Sequence, residues 1–175
     1  MLEYRLTLRN YLYHWWPLAI HVAFLIGVPL YIRYKYGPAA TEIALTVTVA
    51  WFLVGFVPFL LLQIYYTVLN YGAVLACDQS GSNISFSRRG GSTKFEVDDI
   101  ASIHTVKTYA NIKSSLLWFL WDTSCYSELR LRNGESFLVT SLLLPRIEWP
   151  FATVAETVRG TVYPWPRIPQ AMGGV

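Results

Sequence analysis

The chain has 175 residues, of which 54% are hydrophobic, 16% aromatic and only 14% charged, against roughly 25% charged in an ordinary soluble domain. A net charge of +3 with no basic stripe and no strand of interleaved aromatics and cations excludes nucleic-acid binding. Two cysteines, Cys77 and Cys125, make no disulfide framework and agree with a reducing compartment. The apolar excess is uneven: residues 1–76 contain only Glu3, Arg5, Arg9, Arg33, Lys35 and Glu42 as formal charges.

Between Arg9 and Arg33 the chain carries no formal charge, and Trp15–Ile32 reads WWPLAIHVAFLIGVPLYI. A helix of about 20 such residues crosses a hydrocarbon layer of about 30 Å. A second uncharged interval runs from Ile43 to Cys77. Residues 1–66 therefore read as a membrane hairpin with transmembrane helices at about 12–33 and 43–66. Tyr11, Tyr13, Trp15 and Trp16 at one end, and Tyr31, Tyr34 and Tyr36 at the other, form two interfacial aromatic belts. Pro29 and the Gly55/Pro58 pair mark kinks or places of close helix packing. Arg33 to Glu42, centred on Gly37-Pro38, is the turn. A cleaved signal peptide is the competing reading of the first span, but its apolar run is too long and the second span follows at once. Both termini then share one side, and the cytoplasm is favoured although the basic residues are nearly tied.

The second half changes period. Ile84 and Phe86 alternate with polar neighbours, Gly90-Gly91 turns the chain, and Phe95 and Val97 continue the alternation, which predicts a β-hairpin. Ile100–Val106 supplies a third strand. Asn133-Gly134 predicts a two-residue turn placing Arg132 opposite Glu135, Leu131 opposite Ser136 and Leu129 opposite Leu138. Ile147, Phe151, Val154 and Val158 recur at helical spacing, so an amphipathic helix ending near Gly160 is expected. Residues 161–175 read as a proline-rich tail. The fold class is thus a membrane α-hairpin followed by an α+β or all-β unit at 67–160, its antiparallel strands capped by a C-terminal amphipathic helix.

Strands followed by one closing helix is the element order of a pleckstrin-homology (PH) domain. The stretches Leu69-Asn70-Tyr71, Ile84-Ser85-Phe86-Ser87-Arg88, Phe95 to Asp98-Asp99-Ile100, and Leu129-Arg130-Leu131-Arg132-Asn133-Gly134 to Thr140-Ser141-Leu142-Leu143 carry a resemblance over residues 65–158. The chain resembles bacterial membrane proteins with a PH-like domain of the YcxB-like kind, and is similar to two-span proteins of the Bacteroidetes type. This resemblance implies a curved antiparallel sheet on the cytoplasmic face of the inner membrane. It supplies no ligand.

Little in the sequence carries chemistry. Asp98-Asp99 are strand neighbours whose side chains diverge, and they read as a turn or cap. His14, His21 and His104 show no metal-ligand spacing, no phosphate loop or nucleophile motif is present, and no cofactor is expected. His21, the one ionisable group inside a span, reads as a neutral histidine bonded to the other helix in preference to a proton carrier. Arg88, Arg89 and Lys94 flank one hairpin turn and are the candidate contact for anionic lipid headgroups; the solvated hairpin tip is the alternative. Within LLWFLW, Trp118, Phe119 and Trp121 are either an inner strand or aromatic anchors for a protein partner or the membrane surface. The expected function is a non-enzymatic, membrane-anchored PH-like module presenting a surface to protein or anionic lipid. The alternative is an accessory subunit or small transporter-like bundle that oligomerises through its helix pair.

Overall fold

A computed structural model describes residues 2–78, 82–88, 91–113, 119–149 and 154–166. The chain opens with a short strand, β1 (Leu2–Arg5), which the sequence reading passed over because it is four residues long. Helix α1 (Leu8–Tyr36) begins where Thr7, extended at φ −129° and ψ 156°, accepts the Asn10 amide on its hydroxyl, an N-cap that satisfies a donor left open by the first turn. It ends at Gly37, whose amide reaches back to the Arg33 carbonyl. Helix α2 (Pro38–Asn70) starts at once, with Pro38 at its first position, where the missing amide costs nothing. The inter-helix turn is therefore a single residue at φ +84°, a conformation suited to glycine. The helices run continuously through Pro17, Pro29 and Pro58. A Cβ built on Gly27 or Gly55 meets nothing within 4 Å, so neither glycine is required for close helix packing.

After the Tyr71-Gly72 turn come β2 (Val74–Cys77), β3 (Asn83–Arg88) and β4 (Gly91–Glu96). The β3–β4 hairpin sets Ile84 opposite Phe95, both buried, as the alternation predicts. These strands form one sheet in the order β1-β2-β3-β4. β1 pairs antiparallel with β2, Leu2 to Cys77 and Arg5 to Val74. The helix pair is thus inserted between two neighbouring strands of one sheet, so the β unit begins before the first helix.

The second sheet has the order β7-β6-β5-β8, with β5 at Ile100–Thr108, β6 at Cys125–Leu131, β7 at Ser136–Thr140 and β8 at Glu156–Thr161. A one-turn helix, α3 (Tyr109–Ile112), follows β5. Between the sheets lies a core that includes Leu75, Ile84, Phe86 and Phe95 from the first and Ile103, Cys125, Leu129 and Val139 from the second. Phe137 adds ring contacts to Phe86 and Phe95.

Two sequence expectations are corrected. The β6–β7 hairpin is shifted by one: Leu129 faces Phe137 and Arg130 faces Ser136. The Gly134 amide bonds the Leu131 carbonyl, the Leu131 amide bonds the Glu135 carbonyl, and Gly134 sits at φ +91°. That is the three-residue loop with glycine in the left-handed position, which competes with the two-residue Asn-Gly turn. The expected C-terminal helix is also absent among the described residues. Pro145–Ile147 is a single 3-10 turn, Phe151 lies outside the described residues, and Glu156–Thr161 is strand β8, parallel to β5 with Val158 opposite Thr105. Thr157, Val158 and Thr161 are β-branched and favour a pleated backbone, and β5 would otherwise leave its outer amides and carbonyls unpaired. Ile147 is buried and Val154 packs against the core, but Val158 is 46% exposed, so the apolar stripe does not continue into β8.

Gly160 belongs to this edge for a steric reason. A Cβ there would lie 2.5 Å from Tyr109 Cε1 and 3.3 Å from Ile112 Cδ1. Replacing Gly160 with Val should destabilise the fold by about 1–3 kcal/mol, the usual cost of overpacking. In a double-mutant cycle read by thermal unfolding, Tyr109→Ala should relieve most of that loss; strict additivity would contradict the packing account.

Candidate functional site

The helices are not simply attached to the β unit; their domain-side ends are built into it. Phe59, Leu62 and Tyr66 of α2 are fully buried against Leu120, Trp121 and Leu142, with Tyr11, Trp15 and Leu18 of α1 packed around them. A buried polar seam runs along the same junction. Asn10 Nδ2 donates to the carbonyls of Arg5 and Leu142 at 3.1 and 2.6 Å. His14, fully buried, has Nε2 3.1 Å from the Ser141 carbonyl and Nδ1 3.1 Å from the Thr123 hydroxyl. A carbonyl only accepts, so Nε2 carries the proton, and Nδ1 of the neutral ring accepts from Thr123. On α2, Gln63 Nε2 donates to Ser124 Oγ at 3.4 Å, and Asn70 Nδ2 donates to the Tyr66 carbonyl and to Thr140 Oγ1. Four polar helix residues thereby read the end of the second sheet. Sequence reasoning missed this seam because its partners are scattered through the chain; the available signal was Asn10, His14, Gln63 and Asn70 standing within otherwise apolar stretches.

The tail also belongs to the junction. Residues 162–166, Val-Tyr-Pro-Trp-Pro, lie along α2 as a strap. Trp121 Nε1 donates to the Val162 carbonyl at 2.9 Å, Tyr66 Oη to that of Pro164 at 2.8 Å, and Tyr65 Oη to that of Pro166 at 3.4 Å. Tyr163 Oη donates back to the Pro58 carbonyl. Trp165 stacks on Tyr65 with centroids 4.6 Å apart. Within the strap the Trp165 amide bonds the Tyr163 carbonyl, which leaves the carbonyls of Val162, Pro164 and Pro166 for these side-chain donors, and the aromatic side chains supply both ring surface and hydroxyl.

The structure separates the expected contact residues. Trp118 and Arg89 lie outside the described residues. Trp121 is only 7% exposed and bonded to the strap, so it is a junction residue and not an exposed anchor. Phe119 is half-buried, stacked on Trp121 at 4.7 Å and set 6.1 Å from Trp51 of α2. Arg88 pairs with Gly91, whereas Lys94 pairs with Ser85. Strand alternation puts Arg88 on the side of Phe86 and Lys94 on the opposite side, so these two cations do not form one tip. His21 Nδ1 donates to the Pro17 carbonyl one turn back, at 2.9 Å. Asp98 and Asp99 sit in the 3-10 turn Val97–Asp99, where the Asp99 carboxylate accepts the Glu96 amide.

Among the described residues no group of three His, Cys, Asp or Glu could hold a metal ion. The sulfhydryl next to the polar seam, that of Cys125, is fully buried, and burial pushes it up to about 12, away from the thiolate form that reacts. The arrangement joins elements and holds them.

The family model for the PH domain matches residues 3–148, from β1 past β7. The chain belongs to the PH domain family. No curated protein and no solved structure matches it. The matched interval contains both long helices, in keeping with their insertion between β1 and β2.

The buried thiols give a direct check on this geometry. Because the folded pKa of Cys125 lies above the ordinary value of 9.0, the unfolded chain loses its proton first as pH rises. The stability held by the neutral thiol is present in full below about pH 9 and declines between there and about 12. Cys125 should therefore resist maleimide in the folded protein at pH 8 and react on denaturation. Rapid labelling of the folded chain, read by peptide mass spectrometry, would contradict this burial.

Proposed function

We propose that this protein is a non-enzymatic PH-domain module anchored by its helix pair in a bacterial inner membrane, of the two-span YcxB-like kind, with the β unit and both termini in the cytoplasm. A PH-like domain is an interaction module. The observation that favours a membrane anchor is the exposure of the helices. Only 11% of the most apolar window of α1 and 17% of that of α2 is buried, whereas a core helix of a soluble protein would hide most of its apolar side chains. Phe24, Leu30, Val47 and Val54 are each 60% exposed or more. An apolar surface of that extent needs a covering medium. The outer parts of the helices, residues 19–36 and 38–55, which reach the β unit at Trp51, rise roughly 27 Å along their axes, close to the ~30 Å of a hydrocarbon layer. Tyr34 and Tyr36, 91% and 63% exposed, would then meet the far interface, and Trp15, Trp16 and Trp51 the near one.

A second reading, oligomerisation of the helix pair as an accessory subunit or small bundle, has one observation behind it. A groove on α1 lined by Ile20, Ala23, Phe24, Gly27, Val28 and Tyr31 is open, and small residues on an exposed membrane helix favour close helix approach. The interaction surface of the β unit would be presented to protein or anionic lipid at the membrane face in either case.

Carbonate extraction and side-specific labelling test the main reading. The full chain should remain in the membrane pellet. Tyr34→Cys should react with an impermeant maleimide in spheroplasts, while Lys94→Cys should react only after permeabilisation. Release of the protein by carbonate would overturn the anchor, and labelling of Lys94→Cys in sealed spheroplasts would overturn the cytoplasmic placement.

A further inference from the structure

The exposed apolar side chains of the β unit are not scattered. Apart from Leu2 on β1 and Tyr71 at the end of α2, the large hydrophobics exposed outside the two helices among the described residues are Tyr109, Ile112, Val158, Val162 and Trp165. All five belong to α3, β8 and the strap. This rim meets α2 at Trp51, which lies nineteen residues before the domain-side end of the helix at Asn70, or about 28 Å along the axis. Phe119 and Trp51, with ring centroids 6.1 Å apart, mark the contact. Where α3 and the strap approach the helix they leave a niche of about 400 Å³, lined by Trp51, Tyr109, Ala110, Phe119 and Val162, with Thr108, Thr161 and Asp122 at its polar side.

Resting on the membrane reading above, we propose that this niche holds one acyl chain of a bilayer lipid from the leaflet next to the β unit, and that the α3–strap rim lies in that leaflet's interface. Three observations carry it together. The niche is continuous with the lipid-facing surface of α2, since Trp51 is 56% exposed and its neighbours Val47 and Val54 are 63% exposed. Its lining is hydrocarbon and aromatic ring, which offers an alkyl chain dispersion contacts and offers a charged ligand no countercharge that is free of the fold: the Asp122 carboxylate already accepts the Phe119 amide at 2.9 Å. Lys113, exposed directly after α3, supplies a cation at the same rim for a lipid phosphate. The rim combines ring, alkyl and ammonium groups as interfacial segments do.

The proposal is tested with the full chain in nanodiscs that contain phosphatidylcholine bearing a diazirine on its acyl chain. After irradiation, peptide mass spectrometry should find adducts on the outward helix faces, at Phe24 and Val47, and also on Tyr109 and Val162. Ala110→Phe, and independently Val162→Trp, should fill the niche and reduce labelling of Tyr109 to background while leaving Phe24 and Val47 labelled. Helix labelling without adducts on Tyr109 or Val162, or Tyr109 labelling unchanged in a variant that keeps its thermal transition, would overturn the niche and leave the membrane span standing. Absence of adducts on Phe24 and Val47 as well would overturn the span itself and the niche with it.

Discussion

The pairing of β1 with β2 is the constraint on which the rest of this structure depends. The chain leaves the sheet at Arg5, makes two long helices, and must return at Val74 directly beside the place it left. Closing so long a connection is entropically unfavourable, although the cost grows only slowly with length. A stiff helical hairpin with a one-residue turn makes the closure far less demanding than a flexible loop would, because α1 and α2 bring their own ends together. Both helix ends are then fixed in one sheet, which a single-helix anchor on a flexible linker could not achieve.

That attachment is reinforced by an unusual use of the second sheet. One face, with Ile103, Leu129 and Val139, builds the sandwich core, while Tyr126 and Thr140 look toward the helices. The junction there combines an apolar centre of Phe59, Leu62, Tyr66 and Leu142 with the polar seam of Asn10, His14, Gln63 and Asn70. Apolar packing alone resists separation but tolerates sliding; directional bonds to the backbone carbonyls of Ser141 and Leu142 fix the register. The strap adds a third contact, with the carbonyls of Val162, Pro164 and Pro166 each bonded to an aromatic donor. Helix orientation and sheet orientation are therefore mechanically one variable. Under the proposed membrane anchoring, this sets which face of the β unit would meet the bilayer.

The two helices and the β3–β4 hairpin were legible in the sequence because each carries a strong local signal: a long uncharged run, and alternation about a glycine pair. Strand β1 was not legible, since Leu2–Arg5 is too short to show a period and finds its meaning in a partner strand, Val74–Cys77, far along the chain. The helical spacing read over residues 147–158 did not carry into Glu156–Thr161, which is a strand. The β-branched Thr157, Val158 and Thr161 and the glycine at 160 were the better signal, and the edge of β5 decided the matter. The PH-domain resemblance was readable from strand and turn positions, yet it did not reveal that the helices are inserted within the domain. As for the site, Arg88 and Lys94 were grouped by proximity in sequence, and the pleat separates them. Trp121 was recognised as a conspicuous aromatic, but whether it faced a partner or the interior depended on the strap, which no local pattern encodes.

Cross-linking of the first two strands tests the central claim most directly. Leu2 lies opposite the native Cys77, and paired positions on neighbouring antiparallel strands fall within the Cα separation that a disulfide spans. In the full chain under mild oxidation, Leu2→Cys should form an intramolecular disulfide with Cys77, while Glu3→Cys, which points to the other face, should not. Peptide mapping that finds this linkage only for Leu2→Cys establishes a helix pair inserted into one sheet. Failure of Leu2→Cys to link, or equal linkage by Glu3→Cys, would contradict it and return the helices to the status of an N-terminal appendage.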